Sequence, residues 1–261
     1  MSLHVETQGS GEPLLLIHGW GMHGGMWDGV AKQLAQNFEV HSVDLPGHGH
    51  SKYISSTGEM RGNENLDEIV KQLASQFAQP LSVCGWSLGG QVALRWAQLH
   101  PEQIQKLLMV ATTPCFVQQD DWDCAMAAET LQDFSASLLQ NHTQSLRRFL
   151  ALQVRGSEQE RELLTGLRVQ LFSHGEPDTA ALKSGLAILR DCDLRKTLAQ
   201  IPQPVLLLGG DRDTLTPLAA MQYMQKAMPN ARLETIKGAA HAPFLSHPQL
   251  FVQSVMSFLN E

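Results

Sequence analysis

Ser87 lies in Gly85-Trp86-Ser87-Leu88-Gly89, between the apolar run Leu81-Ser82-Val83-Cys84 and the helical pattern Gly90-Gln91-Val92-Ala93-Leu94-Arg95-Trp96-Ala97. That order reads as strand, sharp turn, helix. A serine at such a turn is held in a strained backbone conformation with its hydroxyl above the sheet, and the flanking glycines remove Cβ atoms that would collide. The helix that follows aims its first N–H groups at the same point. The chemistry this suits is nucleophilic attack on a carbonyl. A serine hydroxyl is a poor nucleophile at neutral pH, so it needs a histidine base and a carboxylate to orient that base, both downstream in this chain order.

Both partners are available. The apolar strand Val205-Leu206-Leu207-Leu208 runs into Gly209-Gly210-Asp211-Arg212-Asp213-Thr214-Leu215-Thr216-Pro217, a loop at a strand's carboxyl end, where such folds gather reactive groups. Asp211 and Asp213 compete for the acid, and Asp211 reads as a turn residue beside Gly210. Of eleven histidines, His241 is singled out by position: it sits in the small-residue loop Gly238-Ala239-Ala240-His241-Ala242-Pro243, after the last strand Arg232 to Lys237. His247, before Pro248, reads as a cap or surface residue, and His48 and His50 belong to the tight connection Asp44-Leu45-Pro46-Gly47-His48-Gly49-His50-Ser51. The tetrahedral intermediate also needs fixed N–H donors. The Leu88 N–H follows the nucleophile directly, and the Trp20 N–H comes from the glycine-flanked turn that ends the buried run Leu14-Leu15-Leu16-Ile17-His18-Gly19-Trp20-Gly21. The Trp20 indole either walls an acyl pocket or packs beneath its loop.

Two further patterns carry little weight. The spacing His23-Gly24-Gly25-Met26-Trp27-Asp28 matches a class of acyltransferases, but here it leads from the anion-hole turn into the first helix. Asn141-His142-Thr143 fits a glycosylation acceptor, which matters only in a secretory compartment.

The 261 residues, 43% hydrophobic and 17% charged, suffice for a full globular core in one large domain or one with an insertion. No basic stretch followed by a long apolar run begins the chain, so neither a signal peptide nor a membrane span is expected. Cys84, Cys115, Cys124 and Cys192 are not paired at metal or redox spacing and read as reduced thiols of a cytoplasmic protein. The net charge of −7 argues against nucleic acid as a partner.

To position these groups, strand-length runs at Leu14 to Ile17, Phe38 to Val43, Leu81 to Cys84, Leu107 to Ala111, Val205 to Leu208 and Leu233 to Ile236 alternate with helical patterns. Alternation of this kind predicts an α/β fold with a doubly wound, mostly parallel sheet, its helices Met26 to Gln36, Leu66 to Phe77 and Leu88 to Leu99 covering both faces. Between Pro114 and about Gly185 the alternation stops, over far more than the ~12 to 15 residues of an ordinary connection. The predicted organisation is therefore an α/β core in two parts, 1–112 and 186–261, with an all-helical cap at 113–185. Within 141–175 the local charge is +2, from Arg147, Arg148, Arg155, Arg161 and Arg168 against Glu158, Glu160 and Glu162. Such a stretch is either a basic patch for an acidic partner or a solvated helix face with internal ion pairs.

These residues resemble the α/β-hydrolase superfamily, and more closely the pimeloyl-[acyl-carrier protein] methyl ester esterases of biotin synthesis. The resemblance rests on residues 14–21, on Val43-Asp44-Leu45-Pro46-Gly47-His48-Gly49, on Gly85 to Gly90, on Arg148-Phe149-Leu150-Ala151-Leu152-Gln153, and on Ala239-Ala240-His241-Ala242-Pro243-Phe244 followed by Ser246-His247-Pro248. It implies Ser87 as nucleophile, His241 as base and Asp213 as acid. It further implies Trp20, Ser87, Leu88, Phe149, Leu150, Ala151, Leu152, Gln153 and His241 as substrate contacts, and an acyl carrier protein as partner held by Arg148 and Arg161. Two other cap positions at which the family carries arginine fall on Gln144 and Thr165, with Arg147, Arg155 and Arg168 nearby to compensate. The segment Tyr53 to Asn65 is longer and more polar than the family pattern.

The implied reaction needs neither cofactor nor metal ion, and a monomer is expected. The alternatives are a general short-chain carboxylesterase or carbon–carbon bond hydrolase built on the same triad, and a ligand-binding module with slow turnover.

Overall fold

The computed structural model describes residues 2–53 and 61–261, so the central part of the segment Tyr53 to Asn65 lies outside the described residues. In chain order the elements are β1 (Val5–Gly9), β2 (Glu12–Ile17), α1 (Asp28–Leu34), β3 (Phe38–Val43), α2 (Gly62–Gln76), β4 (Leu81–Trp86), α3 (Leu88–Leu99), β5 (Ile104–Val110), α4 (Ala128–Gln140), α5 (His142–Val154), α6 (Glu160–Gln170), α7 (Thr179–Asp191), β6 (Val205–Gly210), α8 (Leu218–Ala227), β7 (Ala231–Ile236), α9 (Pro243–Ser246) and α10 (Pro248–Leu259). Among the described residues none of the helices is long and apolar enough to cross a membrane.

The strands form one sheet in the order β1-β3-β2-β4-β5-β6-β7, parallel throughout except for β1, which runs antiparallel to β3. Every residue of β4 and β6 is buried, as a central parallel strand covered on both faces requires. Each leucine or valine so placed stabilises the fold by about 1.5–3 kcal/mol. The short edge strand β1, Val-Glu-Thr-Gln-Gly with only half-buried and exposed positions, has no apolar alternation and leaves no mark in the hydrophobic pattern.

Register decides what meets at the sheet's carboxyl edge. Ile17 pairs with Gly85, Trp86 with Val110, Val110 with Leu208 and Gly210 with Ile236, so the loops after β2, β4, β6 and β7 leave the sheet side by side. Four helices, α4 to α7, intervene between β5 and β6. Two of them begin with side-chain caps: Asn141 Oδ1 accepts from Gln144 N at 3.0 Å, and Asp178 Oδ1 from Ala180 N at 2.7 Å. The glycosylation-like triplet thus serves as the start of a helix. α7 packs closely on α2, where a Cβ at Gly62 would come within 2.3 Å of the Ala187 carbonyl oxygen.

Candidate active site

Ser87 occupies the turn between β4 and α3 with φ +55° and ψ −117°, a left-handed conformation costing a non-glycine residue of order 1–3 kcal/mol. Its surroundings hold it there. The Ser87 N–H donates to Val110 O at 2.9 Å, and the Thr112 hydroxyl donates to Ser87 O at 2.6 Å. The glycines around it are required sterically: a Cβ at Gly85 would sit 2.3 Å from Gly89 O, one at Gly89 2.5 Å from Ile17 O, and one at Gly90 2.5 Å from Thr112 Oγ1. A Cβ at Gly19 would lie 3.3 Å from that of Ser87, so the turn after β2 abuts the serine. Neither the Trp20 nor the Leu88 N–H has a protein acceptor among the described residues.

The loops after β6 and β7 bring Asp213 and His241 together in a nearly dry setting, each side chain 1% exposed. His241 Nδ1 donates to Asp213 Oδ2 at 2.8 Å. A carboxylate only accepts, so the proton is on Nδ1 and Nε2 keeps its lone pair. Asp213 is itself oriented, with Oδ1 accepting from Leu215 N at 2.8 Å and Thr216 N at 3.0 Å, and Oδ2 also accepting from the Thr216 hydroxyl at 2.7 Å. Asp211 is exposed and accepts from Gly238 N at 2.7 Å, which is the turn role its neighbour Gly210 suggests. His241 Nε2 is buried with no hydrogen-bond partner, so its bond to Ser87 is not made in this structure. Such bonds are commonly long before substrate tightens the site.

Two further contacts fix the backbone of His241, one from Trp86 of the serine turn and one from Gln153, expected from the sequence as a substrate contact. The Trp86 indole N–H donates to His241 O at 2.8 Å, and the Gln153 carbonyl on α5 accepts from His241 N at 3.1 Å. Thr216, assigned no role from the sequence, has its hydroxyl 3.2 Å from His241 Nδ1 and bonded to Asp213. Its signal was the Asp-x-x-Thr spacing in a turn, where a hydroxyl folds back on the aspartate. His247 bonds Ser246 Oγ, and His48, buried against Pro46 O, is pushed down to about 4 by burial. His18 donates from Nδ1 to Gly19 O at 2.8 Å and accepts the Leu45 N–H on Nε2 at 2.9 Å, which pins the Gly19–Trp20 turn. Burial, with His48 alongside, holds His18 well below the ordinary imidazole range, so it is neutral.

A cavity of about 70 Å³ lies between the core and the helices of the insertion, lined by Trp20, Phe116, Phe134, Phe149, Leu152 and Leu186 among others. The Trp20 indole is both wall and packing: it meets Phe149 and Phe134 edge-on and donates to Leu182 O at 3.0 Å. Of the expected substrate contacts, Trp20, Phe149 and Leu152 border this cavity, whereas Ser87, Leu88, Leu150, Ala151, Gln153 and His241 do not. Leu150 is fully buried, and Gln153, 1% exposed, keeps an unpartnered Oε1. Arg147, Arg148, Arg155, Arg161 and Arg168 are all exposed, and none pairs with a carboxylate among the described residues, so the internal ion pairs of a merely solvated face are not formed. Gln144 and Thr165 are exposed too.

The model of the alpha/beta hydrolase fold family matches residues 12–248. The chain is 46% identical over 251 residues to a pimeloyl-[acyl-carrier protein] methyl ester esterase of Nitrosomonas europaea, covering 96% of this chain and 97% of that one. It is 41% identical over 259 residues to the protein of the same name from Chromobacterium violaceum, covering 99% and 98%. Among solved structures, an esterase from Exiguobacterium antarcticum superimposes with a TM-score of 0.89 at 22% identity, covering 99% of this chain and 96% of that one.

Proposed function

The chain belongs to the α/β-hydrolase family, and on that premise we propose that it is a serine carboxylesterase that hydrolyses the methyl ester of pimeloyl-[acyl-carrier protein] in biotin synthesis. The observation that carries the catalytic part is the buried Asp213–His241 bond, because it leaves an unpartnered lone pair on Nε2 for the serine proton. The near full-length likeness to the two esterases supports the substrate.

In the reaction His241 Nε2 takes the Ser87 proton as Oγ attacks the methyl ester carbonyl. The Trp20 and Leu88 N–H groups hold the oxyanion. The imidazolium, stabilised by Asp213, returns the proton to the departing methoxide, and methanol leaves. Water, deprotonated by the same nitrogen, attacks the acyl-Ser87 carbonyl; the proton passes to Ser87 Oγ as the carboxylic acid departs, and that acid then loses its own proton to solvent to become the carboxylate. The apolar cavity beside Trp20, Phe149 and Leu152 suits the methylene chain. The exposed, unpaired Arg147, Arg148, Arg155 and Arg161, in a chain of net charge −7, suit an acidic carrier protein approaching the helical insertion, read as a cap over residues 113–185.

Wild type and Ser87→Ala are to be compared on pimeloyl-[acyl-carrier protein] methyl ester and on p-nitrophenyl esters. Loss of the serine is expected to lower kcat by about 10⁶-fold on both. Equal turnover by the two proteins ends the proposal. A marked preference for free small esters, unaffected by reversing the arginine charges, replaces the carrier-bound substrate with a general ester. Restoration of biotin-independent growth to a strain lacking this esterase, by wild type and not by Ser87→Ala, places the activity in the pathway.

A further inference from the structure

Segments far apart in sequence meet in a column of imidazoles. His4 meets His50 edge-on with ring centroids 4.8 Å apart, His50 stacks on His174 at 4.7 Å, and His174 stacks on His23 at 4.2 Å. At its inner end lies Asp44, 1% exposed, with Oδ2 3.9 Å from His174 Nδ1. Donor atoms of His23, Asp44 and His174 all fall within 4.8 Å of one another. None of these side chains has a part in the ester hydrolysis.

Two features distinguish this cluster from an ordinary buried polar network. His23, 2% exposed, donates from Nε2 to Gln170 O at 2.8 Å, which fixes its proton there and leaves a lone pair on Nδ1. That Nδ1 is buried and accepts nothing, and His174 Nδ1 is likewise buried without a hydrogen-bond partner. A backbone carbonyl on the far ring nitrogen is how proteins orient metal-binding imidazoles. Asp44 is equally fixed, since Oδ1 accepts from Gly24 N at 2.7 Å and Oδ2 from His50 N at 2.8 Å, with lone pairs to spare on both oxygens. Gly25 keeps the space open: a Cβ there would come within 2.9 Å of the His174 ring and 3.0 Å of His23 Nδ1.

We propose that His23 Nδ1, Asp44 and His174 bind a divalent first-row transition cation of the zinc class, which clamps the helical insertion onto the core. Two imidazole nitrogens and one carboxylate oxygen suit zinc and its neighbours, whereas magnesium and calcium take oxygen donors. Bonds of about 2.0–2.2 Å bring ligand atoms within roughly 4.4 Å of each other, so the donors draw inward and the stacked rings splay on binding. His174 is the residue that moves, because it lies in the turn after α6 and is 17% exposed. The clamp follows from the chain: His23 and Asp44 lie on core loops after β2 and β3, while His174 and Gln170 belong to the insertion.

The test titrates chelator-treated protein with Zn²⁺ by calorimetry and with Co²⁺ by visible absorption. One equivalent is expected, with ligand-field bands from Co²⁺, and His174→Ala should weaken Zn²⁺ binding at least about 10-fold. His142→Ala, at the exposed His142–Glu176 pair, should leave it unchanged. Circular dichroism checks the variants. If His174→Ala does not fold, protection of His174 by Zn²⁺ against diethyl pyrocarbonate, read by mass spectrometry on the wild type, decides the matter. No stoichiometric uptake, uptake unaltered by His174→Ala, or His174 modified equally fast with and without Zn²⁺ overturns the proposal.

Discussion

Replacing Asp213 by Asn changes one atom and tests the site's logic. Leu215 N and Thr216 N both donate to Oδ1, so an asparagine must put its amide oxygen there and turn its NH₂ toward His241 and the Thr216 hydroxyl. Facing a donor at 2.8 Å, His241 Nδ1 must become the acceptor and the ring proton moves to Nε2. The lone pair that would take the Ser87 proton is then gone. The expected loss is about 10⁴-fold in kcat, some 5–6 kcal/mol of activation free energy, as for the wrong histidine tautomer in serine proteases. Because the two backbone bonds to Oδ1 survive, stability should fall by only about 1–3 kcal/mol. Steady-state hydrolysis of a p-nitrophenyl ester, with urea unfolding alongside, measures both. Asp211→Asn, at an exposed turn, is the internal control and should change the rate about twofold at most. Retention of more than about a tenth of wild-type kcat by Asp213→Asn, or an equal loss in Asp211→Asn, refutes the reasoning.

Thr216→Val removes a hydroxyl donating to a charged oxygen at 2.7 Å, worth about 1–2 kcal/mol, so kcat should drop about 5- to 30-fold, with Thr216→Ser restoring it. A valine variant with wild-type kcat would show the hydroxyl to be incidental. His18 and His48 are both held below their ordinary 6.5 by burial, His48 to about 4. The unfolded chain therefore binds more protons than the native one between those values, and stability must fall as the pH drops through that window. The two together predict a loss of about 2 kcal/mol between pH 6 and 5, checked by urea midpoints at stepped pH, where a flat profile would contradict the assignment. Arg148→Glu with Arg161→Glu should lower kcat/KM for the carrier-bound ester about 10-fold or more at low salt, and leave p-nitrophenyl ester turnover unchanged. Parallel losses on both substrates would place the arginines elsewhere than in carrier recognition.

Local pattern fixed much of the scaffold. β2, β4, β5 and β6 announce themselves as short apolar runs, because central parallel strands are buried on both faces. β1 could not be read that way, since it exposes most of its side chains and is held by backbone pairing with β3. The turns bearing Ser87, Asp213 and His241 were equally visible, each ending a strand of the sheet. The same spacing made His23 and Asp28 look like a motif, yet His23 bonds Gln170 and stacks on His174, a contact across the fold that no local spacing encodes.

The amino-acid order alone determined the doubly wound sheet, the strained serine turn and the kinds of side chain gathered at its carboxyl edge, for these follow from hydrophobic periodicity and steric limits within a few residues. Strand register and crossover decided the rest: that Asp213 rather than Asp211 reaches His241, that Trp86 and Gln153 hold that histidine's backbone, and that three imidazoles stack, with a fourth edge-on, beside Asp44. Hydrogen bonds depend on tenths of an ångström between groups joined only through the packed core, and sequence spacing carries no such distance.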